Sequence, residues 1–445
     1  MLFEAELETL ERPELEKLQS RRLQRLVRRV FEDVPFYRQR LSESGIDPSR
    51  FPGKRALVDL PFTFKEDFRA QYPFGLLAVP QSALARVHAS SGTTGQPIIT
   101  GYSQADLEVF ARVNARSLAA AGGEPGMLLH NAYGYGLFTG GLGIHGGGEA
   151  LGLTVTPVSG GMTERQVRLI QDLKPDIITC TPSYAQTLAE EFAKRSVPTS
   201  EISLRFALLG AEPWTDTIRF SVDQGLGVLS TNIYGLTEII GPGVSQECWQ
   251  ERSGSHIWED HFLPEIVDPE SREPVEEGES GVLVLTTLTR QAQPVLRYWT
   301  GDITRLDSSP CSCGRTHVRM GSIQGRTDDL VILRGVNLYP TQIEEILRLE
   351  TAVSAHYQII LSRPQTLDEL ELKVELSESF AAEIEACDDA HGRLRPSPQL
   401  ALVQERIGKR IRDSLGVRVA VSLQPCWSLP RSEGGKLRRI IDQRT

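Results

Sequence analysis

LTVTPVSGGMTERQVRLIQDLKPDIITCTPSYAQTLAEEFAKRSVPTSEISLRFALLGAEPWTDTIRFSVDQGLGVLSTNIYG, residues 153–235, is the stretch whose reading decides the fold. Short apolar runs alternate here with helical periods. Thr154-Val-Thr-Pro-Val reads as a strand and Thr163 to Leu173 as a helix. Asp176-Ile-Ile-Thr-Cys is a strand and Pro182 to Phe192 another helix. Arg205-Phe-Ala-Leu-Leu-Gly-Ala-Glu and Val228 to Tyr234 supply further strands. Such alternation predicts an α/β fold: a parallel sheet flanked by helices, with ligands at the carboxyl ends of its strands. Two motifs fall at such ends, Gly210-Ala-Glu-Pro-Trp and Tyr234-Gly-Leu-Thr-Glu.

Upstream of this core, residues 5–45 read as helical, with Leu7, Leu10, Leu15, Leu18, Leu23, Leu26 and Val27 spaced for a buried stripe that breaks at Val34-Pro35. Its role is packing or a dimer contact. His88-Ala-Ser-Ser-Gly-Thr-Thr-Gly-Gln-Pro97 then concentrates glycines and hydroxyls. Successive amides in Ser90, Ser91, Gly92, Thr93, Thr94 and Gly95 can form a concave anion nest, with the hydroxyls adding bonds to phosphate oxygens. It is not the GxxxxGK[ST] loop, because no Gly-Lys-Ser/Thr follows. A helix capped by Ser103 runs to Ala120. HNAYGYGLFTGGLGIHGGGEALG, 130–152, has glycines dense enough to bring backbone against a flat ligand, or to pack a helix tightly on a sheet.

Composition sets outer limits. A chain of 445 residues exceeds one compact core, so at least two domains are expected. With 48 basic against 58 acidic residues the net charge is −10, which argues against a nucleic-acid partner. Met1-Leu-Phe-Glu-Ala-Glu is acidic at once, so no signal peptide is expected. No apolar run approaches the roughly 20 residues of a membrane span. Six scattered cysteines suit a reducing cytoplasm rather than a disulfide framework.

Downstream, the period changes. Residues 256–266 and Gly281 to Leu288 read as antiparallel strands joined by a turn through Pro274 and Gly278, a β-rich subdomain. Leu296-Arg-Tyr-Trp-Thr-Gly-Asp302 follows, then Gly325-Arg-Thr-Asp-Asp-Leu-Val-Ile-Leu-Arg-Gly-Val-Asn337 and an acidic helix, Gln342 to Leu349, behind Pro340. The domain boundary is read here, giving 1–325 and 326–445. The second part alternates strand and helix and ends in Pro430-Arg-Ser-Glu-Gly-Gly-Lys436.

HNAYGYGLFTGGLG, SGGMTERQV, TPSY, GAEPWT, YGLTE with IIGPGV, IWEDHF with PEIVDP, and GRTDDLVILRGVNLYPTQIEE together resemble the phenylacetate–CoA ligase family of the adenylate-forming superfamily, from about residue 20 to the end. One departure is Gln96, where most superfamily members have Lys. The resemblance implies a large N-terminal domain, a small mobile α+β C-terminal domain, and a reaction in two halves. A carboxylate attacks the α-phosphate of ATP, then the thiol of CoA attacks the acyl-adenylate. It implies that Ser90 to Gly95 hold the β- and γ-phosphates, that Tyr234 and Gly235 lie along adenine with Gly210, Ala211 and Glu212 opposite, and that Asn232 meets its amino group. Thr237 would bond the α-phosphate, Glu238 hold Mg²⁺, Asp302 accept from the ribose hydroxyls and Arg326 contact the same nucleotide. Lys436, on a Gly-Gly loop, would neutralise charge in the first half-reaction. The C-terminal domain would rotate about Asp328 and bring Arg334, Gly335 and Asn337 to the CoA side. A homodimer is expected, with no membrane partner.

The resemblance implies an aryl lining of His130, Tyr133, Phe138 and Gly141, with Ala211 and Gly235, while Gly146 and Gly148 stand near where phenylacetate ligases usually have larger residues, which suggests a roomier or reshaped pocket. A substituted benzoate or aminobenzoate therefore competes as substrate. A carrier-protein-loading enzyme would share everything up to the thiol acceptor; a non-catalytic nucleotide-binding regulator is the third class. A separate constellation, Cys311-Ser-Cys313 with Cys248 and His256, has the donors of a structural zinc site, with His317 and His261 competing for the fourth position.

Overall fold

The computed structural model describes residues 1–90, 97–327, 331–333, 336–364, 368–384, 394–432, 437 and 439–444. Helices α1 (Ala5–Glu8), α2 (Arg12–Asp33) and α3 (Pro35–Glu43) open the chain. Pro13 and Pro35 sit in first turns, where no backbone N–H is missed. The predicted stripe is buried at Leu15, Leu23, Leu26 and Val27, while Leu7, Leu10 and Leu18 are half-buried. After α4 (Lys65–Ala70), strands β1 (Arg86–Ala89) and β2 (Ile99–Tyr102) pair antiparallel around the Ser/Thr/Gly loop. Helix α5 (Gln104–Ala120) starts at a reciprocal cap: Asp106 N–H donates to Ser103 Oγ, and Ser103 N–H to Asp106 Oδ2.

The alternating stretch folds as β3 (Leu128–Asn131), α6 (Gly140–Leu151), β4 (Thr154–Pro157), α7 (Thr163–Leu173), β5 (Ile177–Cys180), α8 (Pro182–Lys194), β6 (Phe206–Gly210), α9 (Asp216–Leu226) and β7 (Leu229–Leu236). β4, β3, β5, β6 and β7 lie side by side in parallel, as predicted. β8 (Gly241–Glu247) returns antiparallel after a short turn, and β9 (Ser255–Ile257) pairs with it. The antiparallel block is β10 (Phe262–Val267), β11 (Gly281–Thr287) and β12 (Tyr298–Thr304). The single strand expected over 256–266 is therefore two strands in different sheets. Between them the chain turns to bury Trp258 and to set Asp260 against the fully buried Arg116, whose Nη1 lies 2.7 Å from Asp260 Oδ1. β13 (Leu306–Asp307) and β14 (Arg319–Met320) extend the large sheet past β9, and β15 (Gly325–Arg326) pairs with β12.

The C-terminal lobe begins with the hairpin β16 (Val331–Leu333) and β17 (Val336–Leu338), then α10 (Pro340–Arg348), β18 (Val353–Ser362), β19 (Glu369–Leu376), α11 (Glu378–Glu383), α12 (Pro398–Leu415), β20 (Ala420–Gln424) and β21 (Ile440–Asp442). Its sheet order is β20-β19-β18-β21. The lobe has its own core, from Leu333 to Leu423, with Ile343, Ile359, Leu372, Val403 and Ile407 buried. Among the described residues no helix is long and apolar enough to cross a membrane.

Candidate active site

Tyr234, near the end of β7, meets Asp302 of β12 and Arg326 of β15, and Gly210 ends the neighbouring β6. Ser91, Gly92, Thr93, Thr94 and Gly95 lie outside the described residues, as do Asp328, Arg334, Gly335 and Lys436; of Asn337 only the backbone, in β17, is described. Ser90 closes the neck of the loop: its N–H donates to Ile98 O at 2.9 Å and its Oγ accepts from Ile98 N–H at 3.0 Å.

β6 ends in Gly210, where a Cβ would stand 2.1 Å from Ile233 O. Ala211 follows at φ 73°, a left-handed conformation that costs a non-glycine residue on the order of 1–3 kcal/mol and concentrates at functional sites. Gly235 is equally forced, since a Cβ there would lie 1.9 Å from Gly241 O. Both glycines are required by neighbouring backbone before any ligand is considered. Glu212, expected along adenine, accepts from Ser183 N–H at 2.7 Å and from Leu437 N–H at 3.2 Å, so it ties the start of α8 to the tail. Asn232 Oδ1 accepts from Trp214 Nε1 at 3.0 Å.

Across the cleft, Tyr234 OH donates to Asp302 Oδ2 at 2.6 Å, and Arg326 Nη1 to Asp302 Oδ1 at 2.6 Å. Burial, then the Asp302 carboxylate, pushes the Tyr234 phenol well above its usual range, so it stays a donor. Thr237 and Glu238 are buried in the turn between β7 and β8. Burial and then Glu238 push the Tyr298 phenol up, which places a hydroxyl beside that carboxylate.

Of the residues expected to line the aryl pocket, His130 is fully buried on β3 with Nε2 2.5 Å from Gln166 Oε1, while Gln166 Nε2 donates to Ser159 O at 2.7 Å. As placed, His130 braces the SGGMT turn. Tyr133 is buried with its OH unpartnered, and burial, then Cys180 and Glu212, pushes its phenol well above the usual range. Phe138 lies beside it; a Cβ on Gly140 would touch both rings, at 3.5 Å. Gly141 is forced by Gly134 O, 2.5 Å from its would-be Cβ. The roomier-pocket reading fails at Gly148: a Cβ there would meet Val155 Cγ2 at 2.8 Å, under the sheet rather than in a pocket.

Sequence reading missed Asn131. Its Nδ2 donates to Tyr135 OH at 2.7 Å and Gly141 O at 2.9 Å, and its Oδ1 accepts from Thr179 Oγ1 at 2.9 Å. Tyr135 OH continues to His145 Nδ1 at 3.1 Å. An amide at the carboxyl end of the run LLHN was the available signal.

Away from the cleft, Cys248, His256, Cys311 and Cys313 come together, their ligand atoms all within 4.8 Å of one another. Cys248 Sγ is 3.6 Å from Cys311 Sγ, and Cys313 Sγ 3.3 Å from His256 Nε2. A tetrahedron with ~2.3 Å zinc–sulfur bonds spaces sulfurs roughly 3.8 Å apart, so the donor set fits zinc. His256 Nδ1 donates to His317 O at 2.9 Å, leaving Nε2 as the ligand atom. The competing histidines are engaged elsewhere: His317 Nε2 with Leu7 O at 3.0 Å, His261 Nδ1 with Thr289 Oγ1 at 2.7 Å.

Comparison with known proteins agrees with this geometry. Residues 65–292 match the AMP-binding enzyme family and residues 335–444 the AMP-binding enzyme C-terminal domain. The chain is 63% identical over 444 residues to the phenylacetate-coenzyme A ligase of Thermus thermophilus, covering 100% of both, and 45% identical to that of Pseudomonas putida, covering 98% of this chain and 97% of that one. Among solved structures, 2-hydroxyisobutyryl-CoA ligase in the postadenylation state superposes with a TM-score of 0.89 at 29% identity, over 99% of this chain and 92% of that one. The same ligase in its thioesterification state, with CoA, gives 0.71 at 30% identity over the same shares. Matches to both AMP-binding family models, a C-terminal lobe with its own core and full-length relatives lead to one conclusion: the chain belongs to the phenylacetate–CoA ligase family of adenylate-forming enzymes.

Proposed function

We propose that this protein is an AMP-forming ligase that joins phenylacetate or a related aryl acid to CoA at the expense of ATP. The observation that carries the reading is identity of 63% along the entire length to a phenylacetate-coenzyme A ligase, together with a cleft in which Tyr234, Asp302 and Arg326 form one bonded set. In the first half-reaction the acid's carboxylate oxygen attacks the α-phosphorus and pyrophosphate leaves. Catalysis is mainly positioning and charge stabilisation. Ser90 to Gly95 hold the phosphates, Thr237 bonds the α-phosphate, and Lys436 neutralises charge as it develops. Asp302 accepts from the ribose hydroxyls, steadied by Tyr234 and Arg326. Mg²⁺, when bound, would shield phosphate charge, and the buried Glu238 is the hard oxygen ligand that would hold it. In the second half the CoA sulfur attacks the acyl carbon and AMP leaves.

The domain boundary is placed at 325/326. Separate hydrophobic cores on either side support it. Cys248, His256, Cys311 and Cys313 hold a structural zinc, since four protein donors leave no open position. One zinc per chain after dialysis is expected; an active, zinc-free preparation would remove the metal from the account. The working form is a cytoplasmic homodimer.

The test is product formation across a panel of aryl acids with ATP and free CoA. AMP and aryl-CoA in equal amounts are expected, best with phenylacetate-sized acids. Adenylate that passes only to a protein-bound thiol would replace this reading with the carrier-loading one.

A further inference from the structure

Helix α8 and the segment before the C-terminal end meet through a set of charges that the two-step chemistry does not by itself require. Glu190, on α8, accepts from His356 Nε2 at 2.6 Å and from Arg431 Nε at 3.2 Å. Arg431 in turn forks onto the buried Glu375, with Nη1–Oε1 2.7 Å and Nη2–Oε2 2.8 Å. His356 reaches α8 because the pairing of β18 with β19 shifts register between Val353 and Tyr357, a bulge that re-aims the side chains within it. Ala355, next to it, packs on the hydrophobic cluster that contains Tyr184, Leu188 and Phe192 of α8. Two turns earlier on α8, Ser183 N–H shares Glu212 with Leu437 N–H. Arg431 and Leu437 are thus each held by a carboxylate of the N-terminal body, Arg431 by Glu190 and Leu437 by Glu212.

This arrangement matches the solved ligase in its postadenylation state better than the same ligase with CoA in its thioesterification state, TM-scores 0.89 against 0.71. We propose that Glu190 is a positioning residue for the first half-reaction: by holding His356 and Arg431 it docks the C-terminal lobe on α8 in the arrangement that favours adenylation, and it releases both for acyl transfer. The inference rests on the function proposed above. Glu190 touches no reacting atom, so its removal shifts the balance between two arrangements of the lobe rather than abolishing chemistry.

The test separates the half-reactions in the full-length protein. With Glu190→Gln, aryl-acid-dependent exchange of pyrophosphate into ATP is expected to fall about tenfold, within the usual range of coupling between two states, while transfer from preformed aryl-adenylate to CoA keeps its wild-type rate or quickens. Glu190→Asp regains part of the exchange. His356→Gln, which breaks the contact from the other side, gives the same one-sided loss and serves if Glu190→Gln does not fold. Equal loss in both half-reactions, or unchanged exchange, overturns the proposal. Absence of exchange in the wild-type protein would instead overturn the functional reading itself.

Discussion

Tyr234 carries much of the account at the scale of single residues, because its hydroxyl is the buried donor that fixes Asp302. Tyr234→Phe removes one hydrogen bond to a charged group while leaving the ring. A loss on the order of 1.5 kcal/mol is expected, about tenfold in KM for ATP, with the KM for the acid little changed. Initial rates over an ATP series check this; an unchanged KM would mean that Asp302 needs no help from the phenol. His261 is a second residue whose environment makes a prediction. Burial, only partly offset by Asp260 and reinforced by Arg116, pushes its imidazole down to about 3. Unfolded, it titrates near pH 6.5, so between those values the unfolded chain binds the extra proton. Stability therefore falls as pH drops below about 6.5, by up to roughly 1.4 kcal/mol per pH unit through this group. Urea midpoints at pH 6.5 and 4.5 should converge in His261→Gln relative to wild type; identical slopes would count against it.

Elements explain what was legible in the sequence and what was not. The parallel core could be read because each strand of 154–235 is a short apolar run and each helix has its own period. Glycines were harder, since type and density do not say which atom forbids a side chain. In α6, a Cβ at Gly147 would stand 2.4 Å from Asn114 Cβ of α5, whereas at Gly146 it would meet only Ala111 Cβ, at 3.6 Å. Gly147→Ala should cost about 1–3 kcal/mol by overpacking, and Gly146→Ala should be neutral or stabilising by up to about 1 kcal/mol through helix propensity. Thermal midpoints of the pair decide it; equal effects would show that α5 and α6 yield easily. The three cysteines were legible as metal donors of the right kind, but which histidine joins them was not. The choice of His256 over His317 and His261 rests on β9 pairing with β14, a contact 60-odd residues apart in sequence. His130 shows what the sequence could not give: its hydrogen-bond partner Gln166, 36 residues away.

For the whole molecule, the cleft is made by two parts with separate cores, and each brings residues the other lacks. The N-terminal body supplies the sheet ends and the neck of the Ser/Thr/Gly loop; the C-terminal lobe supplies the tail that Glu212 and Glu190 hold. On the function proposed above, both parts act on the same phosphates. Pyrophosphate exchange into ATP, driven by an aryl acid without CoA and measured for wild type beside Lys436→Ala, tests that claim most directly. Acid-dependent exchange is expected in the wild type, with a loss on the order of 10²–10³ in the variant. Exchange at the wild-type rate in Lys436→Ala would contradict it.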